Sequence, residues 1–314
     1  MTVDFEAEVE PYRRELLAHC YRMLGSVADA EDLVQETYLR AWKAYERFEG
    51  RSSVRTWLYR IATNACLTAL RSRERRVLPS GLGGPADDPY ATPEPADASW
   101  LEPMPDALVE DPAAIVATRD SMRLALIASL QYLPPRQRAV LLLRDVLAIP
   151  AAEVAVMLDM TVAAVKSALQ RARSSLEEAS PERVVEPSDA SARALLATYM
   201  EAFEKADPAT LEKALRADLV LEVTPSRTWF AGMSVCMPYF TDRVLLSPDA
   251  CRMLPVRANG QPAAAAYYLG PDGLRHAYGI AVLTVSPDGI SRITVFGDAA
   301  LFAHFGLPAI YPGR

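Results

Sequence analysis

The stretch Asp159-Met160-Thr161-Val162-Ala163-Ala164-Val165-Lys166-Ser167-Ala168-Leu169-Gln170-Arg171-Ala172-Arg173 decides how the middle of this chain is read. Upstream, Pro150 suits the first turn of a helix, where its missing N–H is not needed. Val154 and Leu158 then recur at a helical spacing. Asp159-Met160-Thr161 breaks the run, and Thr161 can cap the next helix by accepting from its free N–H groups. On that helix Val162, Val165, Leu169, Ala172 and Leu176 mark a buried stripe. The opposite side offers Lys166, Ser167, Gln170, Arg171 and Arg173, three of them basic, with no acid between Lys166 and Arg173. Together with Leu133-Pro134-Pro135-Arg136-Gln137-Arg138 this is the layout of a helix-turn-helix, which lays one helix in the DNA major groove. An amphipathic helix pair with a solvated basic face is the plainer alternative.

Working outward, Ser26-Val27-Ala28-Asp29 has the form that starts a helix. Asp29, Glu31 and Asp32 put negative charge at its N-terminal end. Leu33, Thr37 and Ala41 lie on one stripe, and Val34, Tyr38 and Trp42 on the adjacent one. Asp32, Gln35 and Glu36 remain outside, an acidic, amide-bearing face suited to a basic partner. From Phe48 to Asn64 aromatics and arginines are interleaved, a pattern that holds unstacked bases, although Trp42 and Trp57 also serve as packing residues. The run Arg71-Ser72-Arg73-Glu74-Arg75-Arg76 suits phosphates. Residues 1–39 carry 3 basic and 9 acidic groups, and residues 40–76 carry 10 basic and 3 acidic. One face thus fits a protein and the other a nucleic acid.

Asp29-Ala30-Glu31-Asp32-Leu33-Val34-Gln35-Glu36-Thr37, followed by Arg55-Thr56-Trp57-Leu58-Tyr59-Arg60-Ile61-Ala62-Thr63-Asn64, resembles region 2 of an extracytoplasmic-function (ECF) RNA polymerase sigma factor. The helix-turn-helix resembles region 4 of the same family, and order and spacing agree over roughly residues 5–180. The resemblance implies a promoter-recognition subunit that docks on core RNA polymerase and does no chemistry. It implies that Asp32, Gln35 and Glu36 bind the polymerase, and that Arg55, Thr56, Trp57, Arg60 and Asn64 meet the melted −10 element. It sets Lys166, Ser167, Gln170 and Arg171 against the −35 element, with Arg144 as a backbone or base contact. Ala148-Ile149-Pro150, and Ala168 where a base is common, depart from the family, so its −35 preference does not carry over.

At 314 residues and 51% hydrophobic the chain can build two or three packed domains. No apolar run reaches the length of a membrane span, and the acidic N-terminus lacks a signal-peptide pattern. Cys20, Cys66, Cys236 and Cys251 are scattered, which suggests free thiols in a reducing cytoplasm. His19, His276 and His304 have no zinc-ligand spacing, so neither metal nor cofactor is expected. A net charge of −7 argues against a general nucleic-acid binder and suits a subunit that reads DNA while docked on a larger enzyme.

The expected organisation is a helical region at 1–76, an acidic Pro/Gly-rich linker at 77–118, the helix-turn-helix domain at 119–180, a linker at 181–190 and an α+β domain at 191–314. The segment 77–118 holds eight acids and no base, and its prolines and glycines exclude long regular elements. It reads as a disordered linker. The family implies a connector threaded through the polymerase, and Trp100-Leu101-Glu102-Pro103-Met104 is apolar enough to dock. In the last part, helices over Ala192–Leu215 precede strand signals at Leu219–Val223, Ala263–Leu269, Ala277–Val285 and Ile290–Phe296, which reads as a curved antiparallel sheet. A short helix is expected at Ser234–Phe240. This part is similar to the SnoaL-like cone, with Tyr199, Trp229, His276, Tyr278 and Asp298 as candidate pocket residues. The whole is two all-α sigma domains plus a regulatory α+β tail, with core polymerase, promoter DNA, and an anti-sigma protein or a small ligand as partners and no membrane. A polymerase-independent helix-turn-helix repressor and an isomerase or cyclase in the tail are the rival functions; fold analogy alone does not license the second.

Overall fold

The computed structural model describes residues 2–50, 52–109, 121–179, 188–245 and 247–313. Arg51, the expected domain start at 119 and the expected linker up to 187 lie outside the described residues. The chain divides into two compact units, Met1–Arg76 with Leu108–Pro181 and Val77–Ala107 with Glu182–Arg314.

The first unit is helical: α1 (Thr2–Val9), α2 (Arg13–Leu24), α3 (Val27–Ala44), α4 (Val54–Ala69), α5 (Leu124–Tyr132), α6 (Pro135–Leu141), α7 (Ala151–Leu158) and α8 (Val162–Ala179). Ser26 caps α3 by accepting from the Asp29 N–H, and Ser53 caps α4 by accepting from the Thr56 N–H. Gly25, with φ +72°, ends α2 in the left-handed conformation. α2 buries Leu16, Leu17, Cys20 and Met23, and packs on α3, α4, α5 and α6.

Two polar seams run through this apolar packing. Between α2 and α4, His19 Nε2 lies 2.9 Å from Thr63 Oγ1. The Thr63 hydroxyl donates its own proton to the Tyr59 carbonyl at 2.7 Å, so it accepts from a neutral His19 protonated on Nε2. Burial, aided by nearby Arg22, pushes the His19 pKa down to about 3. Between α2 and α6, the buried Arg138 guanidinium donates to the Met23 carbonyl, to Gln131 Oε1 at 2.6 Å and to the Leu133 carbonyl at 3.2 Å. Arg22 donates to Ser121 Oγ at 2.8 Å. Burial lowers both arginines to about 10, which leaves them charged at neutral pH.

The second unit comprises α9 (Asp189–Lys205), α10 (Pro208–Ala214), β1 (Leu215–Thr224), β2 (Trp229–Ala231), α11 (Met233–Tyr239), β3 (Cys251–Ala258), β4 (Gln261–Leu269), β5 (Arg275–Ser286), β6 (Gly289–Phe296) and α12 (Leu301–His304). Asp207 caps α10 where the sequence breaks, and Gly232 precedes α11. The sheet has six strands in the order β2-β1-β6-β5-β4-β3. It is mixed rather than antiparallel, because the chain returns to lay β6 parallel to β1. Phe230, Leu221, Ile293, Leu283, Ala264 and Met253 share one face with α9 residues Leu196, Tyr199 and Phe203.

Residues 77–107 are bound to this second unit instead of running free between the helical regions. Glu222, 0% exposed, accepts from the Ser80 N–H at 2.9 Å and pairs with Arg292 at 2.6 Å. The Ala86 N–H donates to the Trp229 carbonyl at 2.8 Å, and Trp229 Nε1 donates to the Gly83 carbonyl at 2.9 Å. Met104 is buried and exchanges backbone and side-chain bonds with Asn259 at 2.8 and 2.9 Å. Asp106 accepts from Arg257 Nε at 3.0 Å and from the Gly260 N–H at 2.7 Å. Apolar contacts and sheet-edge pairing thus overcome the self-repulsion of an acidic strand.

His19 sets a pH dependence. The unfolded chain binds a proton below about 6.5 and the folded chain does not until about 3, so stability falls as pH drops through that window. Lowering the pH from 6.5 to 5 should remove about 2 kcal/mol from the helical unit. Denaturant titrations of the full chain at both pH values check this, and His19→Gln should flatten the difference.

Candidate nucleic-acid interface

Pro150 stands one position before α7, as its N-cap residue, and does not occupy the first turn. α7 ends at Asp159 in the left-handed conformation, and Thr161 Oγ1 accepts from the Ala164 N–H at 3.1 Å to start α8. The buried stripe of α8 is centred on Val165, Ala168 and Ala172. Val162 is 40% exposed, and Leu169 and Leu176 are half-buried, so the stripe is rotated from the expected one. Ala168 is 3% exposed: its smallness is a packing requirement where α8 meets α6 and α7, and not a lost basic contact.

The rotation leaves Lys166, Ser167, Gln170 and Arg171 exposed together. Ser167, Gln170 and Arg171 line one groove with Pro134 and Gln137 of the α6 start and with Ser174 and Ser175. Gln137, Ser174 and Ser175 were missed by sequence; they lie one turn further along the same helix face, or on a second helix. Arg173 is drawn away into a bidentate pair with Asp145 at 2.7 and 2.9 Å. Arg144 is half-buried and donates to the Ile149 carbonyl, closing the turn before α7.

On α4 the candidate residues divide. Arg60 is exposed, and its guanidinium makes no hydrogen bond or ion pair among the described residues. Arg55 is held bidentately by Glu15 at 2.8–2.9 Å, an interaction that raises its pKa, and lies 5.1 Å from the Tyr59 ring centroid. Trp57 stacks against Phe48 at 4.7 Å. Thr56 sits in the Ser53 cap. Asn64 Nδ2 donates to the Arg60 carbonyl at 2.8 Å and to the Met157 carbonyl of α7 at 3.3 Å. The basic run folds back, with Arg76 on Asp29 at 2.9 Å and Arg75 stacked on Tyr132 at 4.2 Å.

On α3, Asp32 and Gln35 are exposed and Glu36 pairs with Arg40. Beside them Leu39 is 60% and Trp42 54% exposed, so Trp42 leaves the expected packing stripe. Both line an apolar groove with Gln35, Tyr38, Phe5 and Val9. Leu39 and Trp42 continue the spacing from Gln35, the signal that could have joined them to that face.

The tail candidates do not form one site. Strand alternation puts Trp229 on the face opposite Phe230 and the α9 side chains, bonded to Gly83. His276 pairs with Asp272 at 2.9 Å on an exposed turn. Asp298 accepts from the Ala300 N–H at 2.8 Å in the turn before α12. Only Tyr199 and Tyr278 come together, with Tyr268 and Cys251, which sequence missed. Among the described residues no cluster of His, Cys, Asp and Glu could hold a metal, and no helix is long and apolar enough to cross a membrane.

Comparison with known proteins finds the Sigma-70 region 2 family over residues 9–76 and the Sigma-70, region 4 family over residues 123–176. The chain is 50% identical over 312 residues to the ECF RNA polymerase sigma factor SigG of Mycobacterium tuberculosis, covering 97% of this chain and 84% of that protein. It is 31% identical over 215 residues to SigJ of the same organism, covering 68% of this chain and 62% of that protein. The crystal structure of M. tuberculosis SigJ shares the fold, with a TM-score of 0.63 at 24% identity over 96% of this chain and 99% of that one.

Because Ala168 is packed, Ala168→Arg should overfill the α6–α8 seam and cost about 1–3 kcal/mol with no gain in DNA affinity. A thermal melt beside a DNA-binding titration separates this from the opposite outcome, in which an exposed arginine tightens binding.

Proposed function

This chain belongs to the extracytoplasmic-function RNA polymerase sigma factors, and from that membership we propose how its surfaces are used. The α8 face reads the −35 element through Lys166, Ser167, Gln170 and Arg171, with Gln137 beside them. The observation that carries this is the convergence of Ser167, Gln170, Arg171 and Gln137 on one polar groove. Arg144 acts indirectly, by fixing the turn that aims α8. On α4, Arg60 and Asn64 present side chains to the −10 strand; Arg55, Thr56 and Trp57 shape that surface through Glu15, the Ser53 cap and Phe48. Asp32, Gln35 and Glu36 bind core polymerase, with Leu39 and Trp42 supplying apolar area next to them. The same face serves an anti-sigma protein.

The tail is a regulatory domain without catalysis, acting in the cytoplasm. It works by holding the connector: Glu222, Asn259 and the Arg257–Asp106 pair retain residues that must be released for the connector to take another path. Tethering within one chain gives this contact a high effective concentration.

Run-off transcription with core polymerase tests both parts. Arg171→Ala should reduce promoter-specific transcripts roughly ten-fold, as expected for one base-specific contact worth about 1–3 kcal/mol. Asp106→Ala combined with Asn259→Gly loosens the connector, glycine being chosen because Asn259 has φ +56°. It should change transcript yield, as should deletion of residues 191–314. Unaltered yield from both would refute the regulatory role.

A further inference from the structure

The hairpin that joins β3 to β4 turns at Asn259-Gly260, with φ of +56° and +69°. Two left-handed residues suit a tight turn between twisted strands, and Asn and Gly are the residue types that accept it. Glycine alone would make the same turn, so the conformation does not by itself call for asparagine. Asparagine is also scarce: Asn64 and Asn259 are the two in 314 residues, and only Asn259 precedes a glycine. That dipeptide carries its own chemistry. Gly260 has no side chain to shield its backbone nitrogen, which can attack the side-chain amide carbon Cγ of Asn259. The N–Cγ bond forms, the Cγ–Nδ2 bond breaks, and the amide leaves as ammonia with the proton given up by the Gly260 nitrogen. Water then opens the cyclic imide at one of its two carbonyls. The product is aspartate, or an isoaspartate whose main chain runs through Cγ.

In the folded chain both reacting groups are held by the connector. The Met104 N–H donates to Asn259 Oδ1 at 2.9 Å, and the Asn259 N–H donates to the Met104 carbonyl at 2.8 Å. The nucleophile, the Gly260 N–H, donates to Asp106 Oδ1 at 2.7 Å. Arg257 ties the two sides together, with Nε on Asp106 at 3.0 Å and Nη2 on the Gly260 carbonyl at 3.0 Å. Pro105 pairs antiparallel with Ala258, and Asn259 is 0% exposed. Ring closure needs the Gly260 nitrogen to swing to the Cβ side of Asn259, and left-handed backbone points it the opposite way. The reaction therefore requires a local opening that breaks the bonds to Met104 and Asp106. Conversion would in turn oppose their return. A carboxylate replaces a buried amide, so a single guanidinium, Arg257, would face two carboxylates, and like charges that share a buried site repel. Isoaspartate adds a main-chain carbon to a turn whose two N–H groups each meet a fixed acceptor.

We propose that Asn259 is a deamidation site guarded by the connector: inert while residues 104–106 are docked, reactive once they are released, and after conversion a barrier to their docking again. A lasting release is thereby recorded as a covalent change in the turn. This goes beyond the regulatory reading of the tail, rests only on contacts within one compact unit, and is tested without polymerase or promoter.

Full-length chain is aged in mildly alkaline buffer and digested with trypsin. The peptide Ala258–Arg275 is followed by mass spectrometry for a gain of one mass unit at Asn259, with the peptide carrying Asn64 as internal reference. The native chain should convert at least ten-fold more slowly than the chain in denaturant. Asp106→Ala, shown to be folded by circular dichroism, should convert about ten-fold faster than the native chain, the effect of one charge-assisted hydrogen bond on a local opening. A native chain that converts as fast as the denatured one overturns the proposal. So does an Asp106→Ala chain that converts no faster than the native one, the result expected if Asp106 served as a base for the attack instead of a restraint. Asn259→Asp tests the consequence, because aspartate tolerates the left-handed turn and changes only the charge. A glutamate-specific protease should cut this variant after Glu102 several-fold faster than the unmodified chain, and faster than Asn259→Gly, which loses the Oδ1 acceptor but adds no charge. Equal cutting of Asn259→Asp and the unmodified chain overturns the barrier to docking. The ageing comparison stands on its own if Asn259→Asp does not fold. None of these readouts involves transcription, so their failure leaves the regulatory reading to the run-off measurement.

Discussion

A carboxylate with no exposed surface has to be held, and Glu222 is held partly by a residue 142 positions earlier in the chain. Its Oε2 takes Arg292 at 2.6 Å and Thr294 at 3.4 Å, and its Oε1 takes the backbone N–H of Ser80. A buried charge is tolerated only when nearly all its acceptor positions are used, and stripping one partner typically costs about 3–5 kcal/mol. The Arg292 pair alone leaves Oε1 unsatisfied. The connector supplies the missing donor, so the sheet and the connector complete one polar site together. At the other end of the segment Asp106 repeats the arrangement, with the roles reversed: the connector supplies the carboxylate and the sheet supplies Arg257 and the Gly260 N–H.

This reciprocity explains how residues 77–107, with six acids and no base, are ordered. Its two ends are fixed by charge-assisted bonds, Leu101 and Met104 are buried between them, and its middle pairs with the β2 edge through Ala86. β2 is a three-residue edge strand, the kind of edge that soluble sheets must cover. The connector covers it. Covering an edge and constraining a linker are therefore one structural event. On the proposed reading, a change at the tail reaches the promoter-binding helices through this shared backbone without any further messenger.

The helical half was legible because its signals are local. Ser26 and Thr161 are caps whose side chains act within three residues, and the structure places each at its helix start. The stripe on α8 was rotated because alanines give no hydropathy contrast: Ala168 and Leu169 compete for the seam, and the close approach of α6 selects the smaller. The tail was legible in its hairpins, where Pro271-Asp272-Gly273 and Pro287-Asp288-Gly289 announce turns. β3 was not, since Arg252, Pro255 and Arg257 break the strand pattern, and an edge strand tolerates all three. Trp229 was placed in the cone by the resemblance to the SnoaL-like fold; a one-residue difference in strand phase sends it to the other face. In the connector only the docking of the Trp100–Met104 stretch was legible, where Leu101 and Met104 are buried; the order of the rest depends on Glu222, Asn259 and Arg257, and composition reports only its charge.

The same distinction between local and distant constraint bears on how the helical unit would act. Asn64 donates to the Met157 carbonyl, so a residue assigned to the −10 strand is engaged by the helix-turn-helix half of its own unit. That bond is long and its side chain is exposed, so exchanging it for water is cheap. Arg138 is different. Its guanidinium satisfies the Met23 carbonyl at the end of α2 and three acceptors of its own half, in a site that water does not reach. Separating the halves would leave the Met23 carbonyl without its donor. The two contacts thus set a hierarchy: Asn64 is lightly engaged, while the packing behind it resists opening. A partner that separates the halves has to supply in its own interface the donor that Arg138 gives to the Met23 carbonyl.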